Sequence, residues 1–156
     1  MRKATIALFT AALAFAVMTT AASADAPAPT TFVVTLNAAD EVPLCAPATN
    51  AARGVAIFRV TDEATGTVEW RLVANNLPGT TTAAHIHLAP EGVAGSVVQP
   101  LSFTPGAENG VIGTGTFTNP TLLAALRATP ESYYVNVHSD VCPRGVIRGQ
   151  FGDNGS

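Results

Sequence analysis

Gly54-Val55-Ala56-Ile57-Phe58-Arg59-Val60-Thr61, Asp62-Glu63-Ala64-Thr65-Gly66 and Thr67-Val68-Glu69-Trp70-Arg71-Leu72-Val73-Ala74 are consecutive. Two runs rich in β-branched and aromatic residues flank a polar stretch ending in glycine, which predicts a β-hairpin. Working outward, Thr31–Asn37 alternates Phe32, Val34 and Leu36 with Thr31, Val33 and Thr35. Similar runs follow at Thr82–Leu88, Ser96–Ser102, Val111–Thr118, Ser132–Ser139 and Gly145–Phe151, separated by Gly, Pro, Asn and Asp. About eight short strands at this spacing predict an all-β sandwich or barrel. One short helix interrupts them: Asn119-Pro120 supplies an N-cap and a first-turn proline, Leu122, Leu123 and Leu126 an apolar face, and Pro130 a stop.

The chain has 156 residues, with Arg2 and Lys3 at the start and an uncharged stretch from Ala4 to Ala24. A basic start, an apolar run over about Thr5–Met18 and small residues at Ala22-Ser23-Ala24 read as a signal peptide, residues 1–24, cleaved after Ala24. The apolar part is short of the roughly 20 residues a bilayer span requires, so no membrane span is expected in the mature chain. Residues 25–30 (Asp-Ala-Pro-Ala-Pro-Thr) read as a flexible spacer, 31–151 as one β-domain and 152–156 as a polar tail. The expected location is therefore secreted or periplasmic. In that oxidising setting Cys45 and Cys142, the two cysteines of the chain, are expected to form a disulfide rather than a thiolate metal site.

Without residues 1–24 the chain keeps six Arg and eleven acids, a net charge of −5, and no Lys. Nucleic acid and anionic lipid are poor partners for such a surface. No phosphate-binding loop with a lysine and no Gly-x-Ser-x-Gly elbow is present, and the carboxylates are scattered. Enzyme templates therefore find no support, and the expectation leans away from catalysis.

All three histidines lie in strand-like segments, Ala84-His85-Ile86-His87-Leu88 and Tyr133-Tyr134-Val135-Asn136-Val137-His138. With a two-residue side-chain period, His85 and His87 share a face opposite Ala84, Ile86 and Leu88. Tyr134, Asn136 and His138 likewise share a face opposite Tyr133, Val135 and Val137. The apolar sets read as core, and the histidines project away from it. If the strands are neighbours, His85, His87 and His138 form a three-nitrogen site suited to copper or zinc, with a coordination position left open. Calcium and magnesium are disfavoured because they take oxygen ligands. The alternative is a set of ordinary surface histidines, two of them facing across strands. Glu41, in the loop before Cys45, reads as a ligand, an acceptor for an imidazole N–H, or a loop acid with local hydrogen bonds. Asn136 reads as a partner to the site or a surface amide, and Arg148 as half of an ion pair with Glu41 or Glu131.

Four segments in order, Glu41-Val42-Pro43, Ala83-Ala84-His85-Ile86-His87, Tyr134-Val135-Asn136-Val137-His138 and Gly145-Val146-Ile147-Arg148-Gly149-Gln150, resemble the CHRD domain, named from chordin. The similarity covers about Thr31–Phe151. It implies an extracellular or periplasmic Greek-key β-sandwich, immunoglobulin-like or Cu,Zn-superoxide-dismutase-like, with no common catalytic activity. The two histidine motifs of the family fall here on His85, His87 and His138. The sequence departs from the usual pattern at Leu88, where glycine often follows the histidine pair, and at Leu44-Cys45, where a second proline is common. The leading expectation is a non-catalytic domain that binds copper, or zinc, through the three histidines. The runner-up is an extracellular module that binds a protein or a second copy of itself without metal, and a copper redox activity stands third.

Overall fold

A computed structural model describes residues 28–49 and 51–153. The segment read as a signal peptide, and part of the spacer and tail, lie outside these residues. Eight strands form: β1 (Thr31–Asn37), β2 (Arg53–Asp62), β3 (Thr67–Asn75), β4 (Thr81–Leu88), β5 (Ser96–Leu101), β6 (Gly110–Thr118), β7 (Tyr133–Ser139) and β8 (Ile147–Gln150). One α-helix among the described residues, α1 (Pro120–Ala128), lies between β6 and β7, followed by a 3-10 turn at Pro130–Ser132. All strand pairs are antiparallel, in the order β5-β4-β7-β8-β1-β2-β3-β6. The all-β expectation of about eight strands and one short helix is met.

The sheet has two four-stranded halves, β5-β4-β7-β8 and β1-β2-β3-β6, joined at the single pair Asn37↔Arg148. The chain crosses between halves at β3 to β4, at β5 to β6 and through α1 to β7. The outer edges also approach one another: after β5 the Thr104 N–H donates to the Ile112 carbonyl of β6 at 2.7 Å. The sheet is therefore nearly closed, with its apolar residues inside.

Alternation decides which side chains fill that interior. Val34 and Leu36 of β1, Ala56 and Phe58 of β2, Val68, Trp70 and Leu72 of β3, and Val135 and Val137 of β7 are all buried. The helix adds Leu122, Leu123 and Leu126. Its start is set as the sequence predicts, with the Asn119 side chain accepting from the Leu122 N–H at 3.0 Å. Leu88 is the exception: expected in the core with Ala84 and Ile86, it is 44% exposed at the end of β4. Cys45 and Cys142 form a disulfide that ties the loop after β1 to the β7–β8 connection. No helix among the described residues is long and apolar enough to cross a membrane.

Candidate metal centre

β4 and β7 are neighbours, and their register places His85 opposite Asn136, His87 opposite Tyr134 and His138 opposite Ala83. Directly opposed residues share a face, so the three histidines stand together as the period-two argument requires. A bulge in the β4–β5 pairing falls between Ile86 and His87. The imidazole ring centres are 5.0 Å apart for His85–His138, 5.5 Å for His85–His87 and 5.9 Å for His87–His138. One nitrogen from each ring lies within 4.8 Å of the other two.

Each ring but one is oriented by a backbone carbonyl. His87 Nδ1 donates to the Gly95 carbonyl at 3.0 Å, and His138 Nδ1 to the Pro143 carbonyl at 3.1 Å. Those bonds put the hydrogen on Nδ1 and leave a bare lone pair on Nε2 of both residues. His138 Nε2 faces His85 Nδ1 at 3.2 Å, while His87 Nε2 is buried and has no hydrogen-bond partner. A buried acceptor without a partner is costly, and a bound cation is one way to satisfy it. An ion with bonds of 2.0–2.1 Å to three imidazoles in a plane needs nitrogens roughly 3.5 Å apart. The His85–His138 pair, at 3.2 Å, is near that spacing already, and a nitrogen of His87 lies within 4.8 Å of both.

The face carrying the histidines is not a solvent surface, contrary to the expectation that it projects freely from the core. Tyr134, Asn136, Arg148, Gln150 and Glu41 are all buried, and so is His87; His85 and His138 remain partly open. The cover is the segment from Ala89 to Gly95. Its carbonyls at Pro90 and Val93 each accept from the Arg148 guanidinium at 2.8 Å, and that at Ala89 accepts from Gln150 Nε2 at 2.8 Å. The Gly95 N–H donates to the Tyr134 hydroxyl at 3.0 Å. Tyr134 is stacked on His87, centres 4.7 Å apart and planes 9° from parallel, and the Arg148 guanidinium sits 3.5 Å from the centre of the Tyr134 ring. Arg148 forms no ion pair with Glu41 or Glu131; its acceptors are neutral.

Glu41 and Asn136, read from the sequence as possible partners of the imidazoles, are hydrogen-bonded to each other. Glu41 also accepts from the Val42 N–H at 3.0 Å. Neither orients a ring; the carbonyls of Gly95 and Pro143 do. Gly145 makes room for the pair, because a Cβ there would lie 2.2 Å from Glu41 Oε2. The sequence reading passed over Tyr134, Gly95 and Gln150. Of these only Tyr134 carried a signal, its place on the His138 face.

Burial dominates the titration of the cluster. It pushes His138 down to about 4, against the hydrogen bond to Pro143 and with help from the other two histidines. His85 is lowered by burial and then by His87; His87 is lowered by burial and by Arg148, against its bond to Gly95. Glu41 is raised to about 7 by burial, against its bonds from Val42 and Asn136 and the charge of Arg148. Between pH 6.5 and about 4 the unfolded chain takes up imidazole protons that the folded chain refuses, so these groups remove stability as pH falls. Glu41 acts oppositely: the folded chain holds its proton between about 7 and 4.5, which adds stability as pH falls through that range. Three imidazoles outweigh one carboxyl. Metal-free protein is therefore expected to lose stability from pH 6.5 toward 4 in urea titrations, and Glu41→Gln to steepen the loss. A flat profile for both would contradict the burial of the cluster.

A family model, the CHRD domain, matches residues 32–151. No curated protein and no solved structure matches the chain.

Proposed function

The chain belongs to the CHRD-domain family, and from that premise we propose that it is an exported, non-catalytic metal-binding domain holding one ion on His85, His87 and His138. The observation that carries this reading is the convergence of three imidazoles on one point, with the buried His87 Nε2 lacking any other partner. The carbonyls of Gly95 and Pro143 act as the supporting acceptors that fix ring orientation in metal sites. An all-imidazole set suits copper and zinc, and copper stands higher than zinc in the general order of divalent affinities. Glu41 and Asn136 support the site from beside it, through the packing of the face they share with the rings. Export is supported by the pattern of residues 1–24 and by the Cys45–Cys142 pair, which suits an oxidising compartment.

Chelator competition with Cu(I), Cu(II) and Zn(II) tests the assignment. His85→Ala is expected to lose about 100-fold or more in affinity, since a direct ligand matters more than an outer-shell partner, whose loss costs roughly 10–100-fold. Unchanged affinity in that variant would remove this ligand set.

A second reading, a module that binds an extracellular protein or another copy of itself without metal, is favoured by the outward face of β1 and β2. Val33, Val55 and Ile57 there are 39–45% exposed. Sedimentation across a range of concentrations separates the two: the second reading predicts self-association or partner capture that metal chelation leaves unchanged.

A further inference from the structure

We propose that the three-histidine site favours monovalent over divalent ions, and that the buried guanidinium of Arg148 imposes this preference. The inference rests on the metal-binding reading above and names the charge of the ion the site takes. Arg148 is 1% exposed. Its donors go to the carbonyls of Pro90 and Val93 and to the side-chain oxygen of Gln150, all neutral. No carboxylate oxygen lies within 4.0 Å of it, the ion pair found among the described residues being Arg127–Glu63. Glu41 is the acid facing this region, and its bonds go to Asn136 and Val42.

The guanidinium is held in place by the stack that reaches the site. It lies over Tyr134, and Tyr134 lies flat on His87. Three neutral imidazoles bring no negative charge to offset an incoming cation. The ion is thus added beyond a stack in which the guanidinium lies 3.5 Å from the Tyr134 ring centre and that centre 4.7 Å from the His87 ring centre, a separation from the fixed positive charge of about 8 Å or more. At an effective dielectric constant of about 20, each unit of charge on the ion meets a penalty of roughly tenfold or more in affinity. A divalent ion meets it twice and a monovalent ion once.

Cu(I) and Zn(II) are suitable probes because both have filled d shells, so neither imposes a ligand-field geometry. Association constants for both, measured anaerobically by chelator competition, give a Zn(II)/Cu(I) ratio for wild type, Arg148→Gln and Glu41→Gln. The ratio is expected to rise about tenfold in Arg148→Gln, because the divalent ion regains more. In Glu41→Gln, measured at pH 8.5 where the wild-type carboxyl is ionised, it is expected to fall. If Arg148→Gln does not fold, the Glu41→Gln result decides. A ratio that stays within twofold of wild type in the folded variants, with both ions still bound, overturns this inference and leaves the site intact. Failure of both ions to bind wild type overturns the metal reading itself, and this inference with it.

Discussion

Replacing Cys45 and Cys142 together by alanine is expected to lower the unfolding free energy of the metal-free protein by about 4 kcal/mol. The two residues are 97 apart in sequence, so the bond closes a long loop and restricts the unfolded chain strongly. Cys142 is 2% exposed and packs within the apolar core, which is why alanine, rather than serine, isolates the cross-link from a buried hydroxyl. The consequence reaches the site. The loop that the bond anchors also carries Glu41, and the other anchored segment carries the Pro143 carbonyl that orients His138. Urea denaturation of the oxidised protein and the double variant measures the difference. A loss under 1 kcal/mol would mean that the loop is held by its other contacts alone.

Gly149→Ala is expected to cost about 3 kcal/mol or more, at the upper end of what overpacking does. A Cβ at position 149 would fall 2.0 Å from the Thr35 carbonyl oxygen and 2.9 Å from Val34 Cγ1. The obstructing atom is backbone, so no rotamer change relieves the contact. β8 has four residues and meets β1 at one pair, Asn37↔Arg148, so parting these strands opens the junction between the two halves of the sheet. Gly106→Ala is the control. That glycine, unlike Gly149, has a positive φ, 79°, but nothing lies within 4 Å of its added Cβ, and the expected cost is about 1–2 kcal/mol. Equal losses in the two variants would show that the β1–β8 contact can relax.

Much of this architecture follows from local pattern. The alternation in Thr31–Asn37, the two runs about Asp62–Gly66 and the Asn119-Pro120 start each specify their element with nearby residues alone. The shared face of His85, His87 and His138 follows from the same period-two rule once β4 and β7 pair. The covering of that face does not. Asn136, Arg148 and Gln150 are polar and alternate with apolar neighbours, which is how a solvent-facing side reads. Arg148 and Gln150 are buried because the carbonyls of Ala89, Pro90 and Val93, more than 50 residues away, satisfy them. Likewise the partner of Glu41 is an amide 95 residues on, and among the described residues no carboxylate forms an ion pair with Arg148. Long-range hydrogen bonds of this kind leave no periodic trace in a sequence.

The central claim, that His85, His87 and His138 hold one ion, is tested most directly by native mass spectrometry of the protein, purified without a histidine tag and titrated with Cu(I), Cu(II) and Zn(II). One tightly held ion per chain, absent from the variant in which all three histidines are alanine, is the predicted result. A wild-type protein that binds no ion below high micromolar concentration, or a triple variant that binds as wild type does, would contradict the account.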